Sequence, residues 1–109
     1  MEPHRLAELR SLAYHRLIAH RMRSDATLLA RALARTAGWA AEGGPTHPTW
    51  ARAWAALLSR PLEEVIERLG ADDEEMRALR QSTPFAGALN ARERWALHRQ
   101  VRGTTEGVP

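Results

Sequence analysis

The sequence contains no cysteine and no lysine, and these absences narrow the classes of protein to which the chain can belong. Without cysteine there can be no disulfide, thiolate metal site or cysteine nucleophile, which favours an intracellular protein because small secreted domains often need cross-links. Residues 1–6 lack the basic and apolar regions of a signal peptide, and no apolar run reaches the roughly 20 residues that span a bilayer. We therefore expect a cytoplasmic protein without a membrane-spanning segment.

Recognisable catalytic signatures are also missing. The sequence has no glycine-rich phosphate loop and no serine elbow, and no two of its five histidines stand four residues apart, as in helical zinc sites. The carboxylates between positions 63 and 75 follow the outer face of one predicted helix and the start of the next. We therefore expect a protein that is not an enzyme and that needs no cofactor or metal. A small enzyme with an unrecognised site around Arg80, Glu93 and His98 stays an alternative.

All sixteen basic side chains, counting lysine and arginine, are arginine, and they are unevenly distributed. Residues 1–60 carry nine arginines against four acidic residues, a net charge of +5, whereas residues 61–109 carry seven against nine, a net charge of −2. One interpretation is that the two halves balance each other within one fold. The other is that the first half keeps a basic surface for a partner.

The pattern of breakers and apolar residues predicts an all-α fold, a compact bundle of five or six helices. Two long N-terminal helices come first, and shorter helices pack across them. The first runs from Pro3 to about Arg23. Ser24 is the predicted N-cap of the second, which ends before Gly43-Gly44-Pro45. We expect one helical domain over residues 1–102 and a disordered tail over residues 103–109.

Four shorter helices are expected after this break. The third opens at Thr46-His47-Pro48, and its Trp50 and Trp54 are expected to share a face. The fourth covers Leu62–Leu69, with Leu62 inward and three glutamates outward. Gly70 is expected just beyond the end of the fourth helix, and Asp72 is expected to cap the fifth. A sixth helix begins at Asn90.

The first helix is apolar around more than half of its circumference. Leu6, Leu9, Ala13 and Leu17 recur at helical spacing and are the predicted core stripe, whereas Leu12, Ile18 and Met22 fall outside that stripe. Such a helix is either central to a bundle or packed against another chain as well. His20 is interpreted as a hydrogen-bonded core histidine. Three arginines lie close to whole turns apart and are expected to line one flank: Arg5, Arg16 and Arg23.

The most distinctive run of residue types is the segment 80–95, which contains the only phenylalanine of the chain. Asn90 and Glu93 have the spacing of a reciprocal helix cap. The segment is interpreted first as a structural connection that places Phe85 and Trp95 in the core. Its arginines, Arg80, Arg92 and Arg94, are the part expected to be able to face a partner.

Two stretches, Ser11-Leu-Ala-Tyr-His-Arg16 and Arg80-Gln-Ser-Thr-Pro-Phe-Ala-Gly87 with Arg92-Glu-Arg-Trp95, resemble small helical bacterial proteins that are encoded beside a nucleotidyltransferase-like toxin. The resemblance implies an antitoxin-like inhibitor that binds a partner enzyme. Because a nucleotidyltransferase site needs carboxylates for its metal ions, an arginine-rich helix could occlude it electrostatically. The predicted partner-binding residues are Arg5, Leu12, Arg16, Arg23, Arg80, Arg92 and Arg94.

The leading hypothesis is thus a non-enzymatic protein-interaction module, with homodimerisation left open. The alternative is a DNA- or RNA-binding regulator that uses the arginine-rich N-terminal half. The turn-linked helices around Trp50–Leu58 and Leu62–Leu69 have the size of a helix-turn-helix. Their second helix, however, would present Glu63, Glu64 and Glu67 to DNA, and carboxylates have the wrong sign for contact with phosphates.

Overall fold

The computed structural model describes residues 2–42 and 48–106, and every regular element within these ranges is an α-helix. The six helices are α1 (Pro3–Met22), α2 (Ala26–Glu42), α3 (Pro48–Leu58), α4 (Leu62–Leu69), α5 (Glu74–Arg80) and α6 (Ala91–Glu106). The prediction of an all-α fold is confirmed. α6, with 16 residues, is nearly as long as α2, with 17, so the described chain has a third long helix that the sequence pattern did not indicate.

Two predicted boundaries can be located against these ranges. α6 continues through Glu106, beyond position 103, where the sequence placed the start of a disordered tail. Residues 107–109, the predicted break at Gly43-Gly44-Pro45 and the predicted helix opening at Thr46-His47 lie outside the described residues.

α1 lies at the centre of the fold and packs against α2, α4, α5 and α6. α3 packs mainly on α2 and reaches α4 and α5. This central position accounts for the apolar character of α1, because a helix with neighbours on several sides buries more than one stripe.

The buried face of α1 is not the predicted stripe. The stripe residues are only half-buried, whereas the buried positions are Leu12, His15, Ile18, Ala19 and Met22. Since apolar residues surround most of α1, their spacing alone did not select the face that packs deepest. The interpretation of His20 as a core histidine was wrong: His20 is exposed, and His15, five residues earlier and on a different face, is buried.

Trp54 and Phe85 meet at the bottom of the core, with their ring centroids 6.1 Å apart. The Trp54 indole N–H donates to the carbonyl of Leu79 at 3.0 Å, which satisfies the one polar group of that ring. Three other large apolar side chains predicted to point inward are exposed instead: Trp50, Leu62 and Trp95. The outward orientation of Glu63, Glu64 and Glu67 on α4 is confirmed.

The helix caps were predicted with mixed accuracy: one is where the sequence placed it, and two lie one residue later. The reciprocal cap at α6 is present, because the Glu93 backbone N–H donates to Asn90 Oδ1 at 2.8 Å and the Asn90 backbone N–H donates to Glu93 Oε1 at 3.1 Å. At α5 the cap is Asp73 rather than Asp72, and its carboxylate accepts from the Met76 N–H at 2.9 Å. At α2 the corresponding carboxylate belongs to Asp25, one residue after the predicted Ser24, and it accepts from the Thr27 N–H.

Gly70 follows α4 as expected, but its φ of −95° lies outside the left-handed region for which glycine is normally required. A Cβ atom at this position would come within 3.3 Å of Arg16 Cγ. The small residue therefore lets the side chain of Arg16 pass close to the end of α4.

Candidate functional site

The arginine flank of α1 faces the acidic helices of the same chain. Each of its three side chains has an internal partner: Arg23 Nη2 lies 2.9 Å from Glu63 Oε2, Arg5 Nη2 lies 3.6 Å from Asp72 Oδ2, and Arg16 Nε donates to the Gly70 carbonyl at 3.1 Å. Pairing holds the pKa of Glu63 and of Asp72 below the ordinary values of their carboxyl groups, chiefly through hydrogen bonds from Arg23 and from Arg77. Charge balance within the fold therefore accounts for this flank.

Two other predicted contact residues are buried. Arg80 is 3% exposed and donates from Nη1 to the carbonyls of Leu69 at 3.3 Å and Ala71 at 2.7 Å. Burial lowers its pKa from the ordinary value of arginine. Leu12 is part of the buried face of α1. Neither has a surface with which to contact a partner in this conformation, which leaves Arg92 and Arg94, both exposed on α6.

Two helices, α1 and α2, hold the connection between α5 and α6 in place. From α1, the Tyr14 hydroxyl donates to the Phe85 carbonyl at 2.6 Å. From α2, Arg35 Nη1 donates to the carbonyls of Pro84 at 3.0 Å and Ala86 at 2.9 Å. Gly87 has a φ of +82°, which an L side chain rarely adopts. The interpretation of this segment as a structural connection with Phe85 in the core thus describes its first half well.

His15 connects α1 to the same segment. Its Nδ1 lies 2.7 Å from the Ser11 carbonyl, which can only accept, so Nδ1 carries the proton. Nε2 then accepts from the Thr83 hydroxyl at 2.8 Å, while the Phe85 N–H donates to that hydroxyl oxygen at 3.1 Å. Burial, and to a lesser extent the charge of Arg80, lowers the pKa of His15 to about 4, against a hydrogen bond to Ser11 that raises it. The ring is therefore neutral at neutral pH.

A cleft of about 390 Å³ lies between α1, the connection after α5 and α6. Three arginines line it, one each from α1, the end of α5 and α6: Arg10, Arg80 and Arg94. The other lining residues are Ser11, Tyr14, His15, Thr83, Ala86, Gly87, Leu97 and His98. No carboxylate is among them, and none lies within 4 Å of the three guanidinium groups in the part of the chain that the structure describes.

The electrostatics of the cleft are positive. Arg10 and Arg80 each bury an Nε that has no hydrogen-bond partner among residues 2–42 and 48–106. An unsatisfied buried donor costs about 1–3 kcal/mol, so each of these two groups is a local cost to the fold. The pKa of His98 is lowered by desolvation first, and then by the positive charges of Arg10 and Arg102. An arrangement of this kind favours an anion.

The cleft also bears on the residues named for an unrecognised enzyme site. Arg80 and His98 line it, but Glu93 caps α6 and forms an ion pair with Arg21. The structure therefore does not bring these three residues together. Sequence reasoning missed Arg10, Tyr14 and His15; the first two stand four residues apart, which is the one signal that they share a helix face.

The outer face of α6, formed by Arg92, Trp95 and Arg99, is the second feature of interest. Trp95 is 58% exposed, although the sequence placed it in the core. Leu97, two residues later, packs against the core, and two residues along a helix correspond to a rotation of about 200°. Because Leu97 and Trp95 cannot both face inward, Trp95 points outward. Arg92 and Arg99 flank it at i−3 and i+4.

An apolar groove of about 480 Å³ lies on the other side of α6, between it and α1. Its lining includes Leu9, Leu17, Leu97 and Val101, together with Arg16 and Gln100. α6 therefore separates a basic cleft from an apolar groove, and Leu97 lines both.

Among the described residues, no helix combines the length and the apolar character required to cross a membrane. Over the same residues, no three histidine or acidic side chains are grouped so that they could hold a metal ion. Comparison of the chain with models of protein families, with curated proteins and with solved structures finds no match.

Proposed function

We propose that this chain is a non-enzymatic protein-interaction module of the cytoplasm, which binds an acidic surface of a partner protein through the outer face of α6. The observation that carries the proposal is Trp95, a large aromatic side chain that is 58% exposed between two arginines. Tryptophan and arginine are the residue types most enriched at the energetic centres of protein interfaces.

The sign of the partner follows from charges that the fold leaves uncompensated. Arg92 and Arg99 form no ion pair within the part of the chain that the structure describes, and both are exposed. The acidic residue beside Arg92, Glu93, is turned toward Arg21 on α1. A face with this charge is complementary to clustered carboxylates, which would also accelerate association.

The resemblance to helical proteins encoded beside a nucleotidyltransferase-like toxin makes such an enzyme the partner to test first. Its metal-binding carboxylates would be the acidic surface that the α6 face covers, and the chain would act as an antitoxin-like inhibitor. This proposal moves the contact from the flank of α1 to α6, because the arginines of that flank already have internal partners.

The test is neutralisation in cells that express a nucleotidyltransferase encoded beside this chain. The wild type should restore growth and co-purify with the enzyme, whereas the double variant Trp95→Ala, Arg99→Glu should do neither. Arg52→Glu is the matched control, since Arg52 is an exposed arginine on α3, which does not pack against α6. Circular dichroism should show that all three proteins are equally folded.

Four results would contradict the proposal. The first is a wild type that gives no protection, and the second is equal protection by the double variant. The third is salt-sensitive binding to random duplex DNA that the double variant loses, which would support the nucleic-acid regulator instead. Sedimentation of the wild type alone would show whether the α6 face pairs with a second copy, and a dimer lost on Trp95→Ala would also contradict binding to a heterologous partner.

A further inference from the structure

We propose that the basic cleft between α1, the connection after α5 and α6 binds the phosphate group of a small phosphomonoester. This site adjoins the α6 face without coinciding with it: Arg94, at the cleft, points about 200° away from Arg92 around α6, whereas the ring of Trp95 lies 5.3 Å from that of His98, which lines the cleft. The inference does not depend on the proposed function, and either can fail without the other.

The first observation in favour of anion binding is the positive charge of the cleft. Three arginines from separate parts of the chain line one space, and among the described residues no carboxylate lies within 4 Å of their guanidinium groups. The charges of Asp72 and Asp73 act on Arg80 from farther away. An anion in the cleft would be attracted to the arginines that line it. Their planar forks match the oxygens of a phosphate, which can accept several charge-assisted hydrogen bonds at once.

The second observation is that one cationic group of the cleft is held in a fixed position. Arg80 is 3% exposed and is held by the carbonyls of Leu69 and Ala71, so its guanidinium cannot swing away into solvent. Its Nε, like that of Arg10, has no acceptor within the described ranges. Arg80 therefore adds a fixed positive charge beside the cleft, and the side chains that can reach an anion are those of Arg10 and Arg94.

Size and lining argue for an organic group on the phosphate. The volume of about 390 Å³ falls within the range of small-molecule sites and far exceeds the space that a single phosphate ion fills. Tyr14, Ala86 and Leu97 add apolar surface beside the arginines. The ring of Tyr14 is fixed by its hydrogen bond to the Phe85 carbonyl, so this part of the lining is held in place.

The experiment is calorimetric titration of the full-length chain with three probes: inorganic phosphate, adenosine 5′-monophosphate and adenosine. Phosphate tests the anion chemistry alone, and the pair of nucleoside probes separates the contribution of the phosphate from that of the organic group. We expect the monophosphate to bind with one-to-one stoichiometry, phosphate to bind more weakly and to compete, and adenosine to show no saturable binding.

The variants are Arg10→Gln and Arg94→Gln, with Arg52→Gln as the control that removes the same charge elsewhere. Each of the first two should weaken binding of the monophosphate by about tenfold or more, which corresponds to the loss of one charge-assisted hydrogen bond. Arg52→Gln should leave binding unchanged. Arg94 is exposed and Arg10 only half-buried, so neither substitution removes a core contact.

Nuclear magnetic resonance of the histidine rings gives an independent readout. A bound phosphate dianion should raise the pKa of His98, which desolvation and then the neighbouring arginines lower in the free protein. Equal weakening by Arg52→Gln, saturable binding of adenosine, or the absence of saturable binding of both phosphate-bearing probes would overturn the inference. A neutralisation assay that fails while the monophosphate binds would reject the proposed function alone.

Discussion

The arginine flank of α1 and the outer face of α6 look alike in the sequence, but the fold treats them differently. In each, side chains that include arginine recur at close to whole helical turns. The flank meets the carboxylates of Glu63 and Asp72 across the fold, and Arg16 reaches the carbonyl of Gly70. Among the described residues α6 packs mainly against α1, and it does so by the side opposite this face.

This difference shows what charge periodicity can and cannot indicate. A row of arginines on a helix predicts a basic stripe, but whether the stripe is available depends on which element packs opposite it. The acidic segment between Glu63 and Glu75 is the reason the α1 flank is neutralised, and only the contacts of α1 with α4 and α5 bring the two together. Four predictions test whether α1 mainly stabilises the core while the outer face of α6 stays exposed on the surface.

The largest expected effect is on core stability. Ile18→Ala on α1 should lower the free energy of unfolding by about 2–5 kcal/mol, because Ile18 is 1% exposed and its loss leaves a cavity. Trp95→Ala on α6 should change it by less than about 0.5 kcal/mol, as expected for an exposed side chain. Urea denaturation followed by circular dichroism measures both. A loss of similar size for the two variants would mean that the α6 face is packed in solution.

The second effect is a pH dependence that originates in α1. The pKa of His15 is lowered to about 4 in the folded chain from 6.5, so the unfolded chain binds the proton more readily between these values. His15 therefore contributes stability that is fully present above about pH 6.5 and is lost as the pH falls toward 4, in total about 3 kcal/mol.

Denaturation at several pH values between 4 and 7 would measure this dependence. The control is His15→Asn, whose amide can still donate to the Ser11 carbonyl but does not titrate. Several paired carboxylates also contribute less stability to the fold as the pH falls through the lower part of the same range. The difference in slope between the two proteins therefore isolates the contribution of the histidine. Identical slopes would show that His15 is not buried as described.

The third effect concerns the start of α6. Asn90→Ala removes the side chain that accepts from the Glu93 N–H and should cost about 1 kcal/mol of stability. Asn90→Asp, which keeps an acceptor, is the matched variant and should retain most of it. Thermal unfolding distinguishes them. A full loss in Asn90→Asp would indicate that the amide, rather than the cap, is needed.

The smallest effect compares the two arginine surfaces directly. Arg23→Gln breaks the pair with Glu63 and should lower the melting temperature slightly at low salt, with the difference vanishing at high salt. Arg92→Gln should produce no salt-dependent change, since Arg92 has no ion pair among the described residues. Equal salt dependence of the two variants would remove the distinction between the surfaces.

The candidate cleft was only partly predictable. Arg80, Arg94 and His98 were singled out from the sequence, but as members of a contact surface or of an enzyme site that included Glu93. Their actual neighbours come from α1, some 70 to 80 positions earlier in the chain. Without knowledge of which face of α1 turns toward α6, nothing in the spacing of Arg10 and His15 indicates that they line the same space.

Local sequence patterns were enough to predict the helical class, the position of α4 and the reciprocal cap that starts α6, because these depend on residues within a few positions of one another. Tertiary structure alone decided that His15 and not His20 is buried, that Trp54 is enclosed while Trp95 is exposed, and that the α1 arginines are paired. Each of these depends on which helix lies opposite a given face. Packing over the whole chain decides which face of each helix is buried. Local periodicity shows only which faces are apolar enough to be buried.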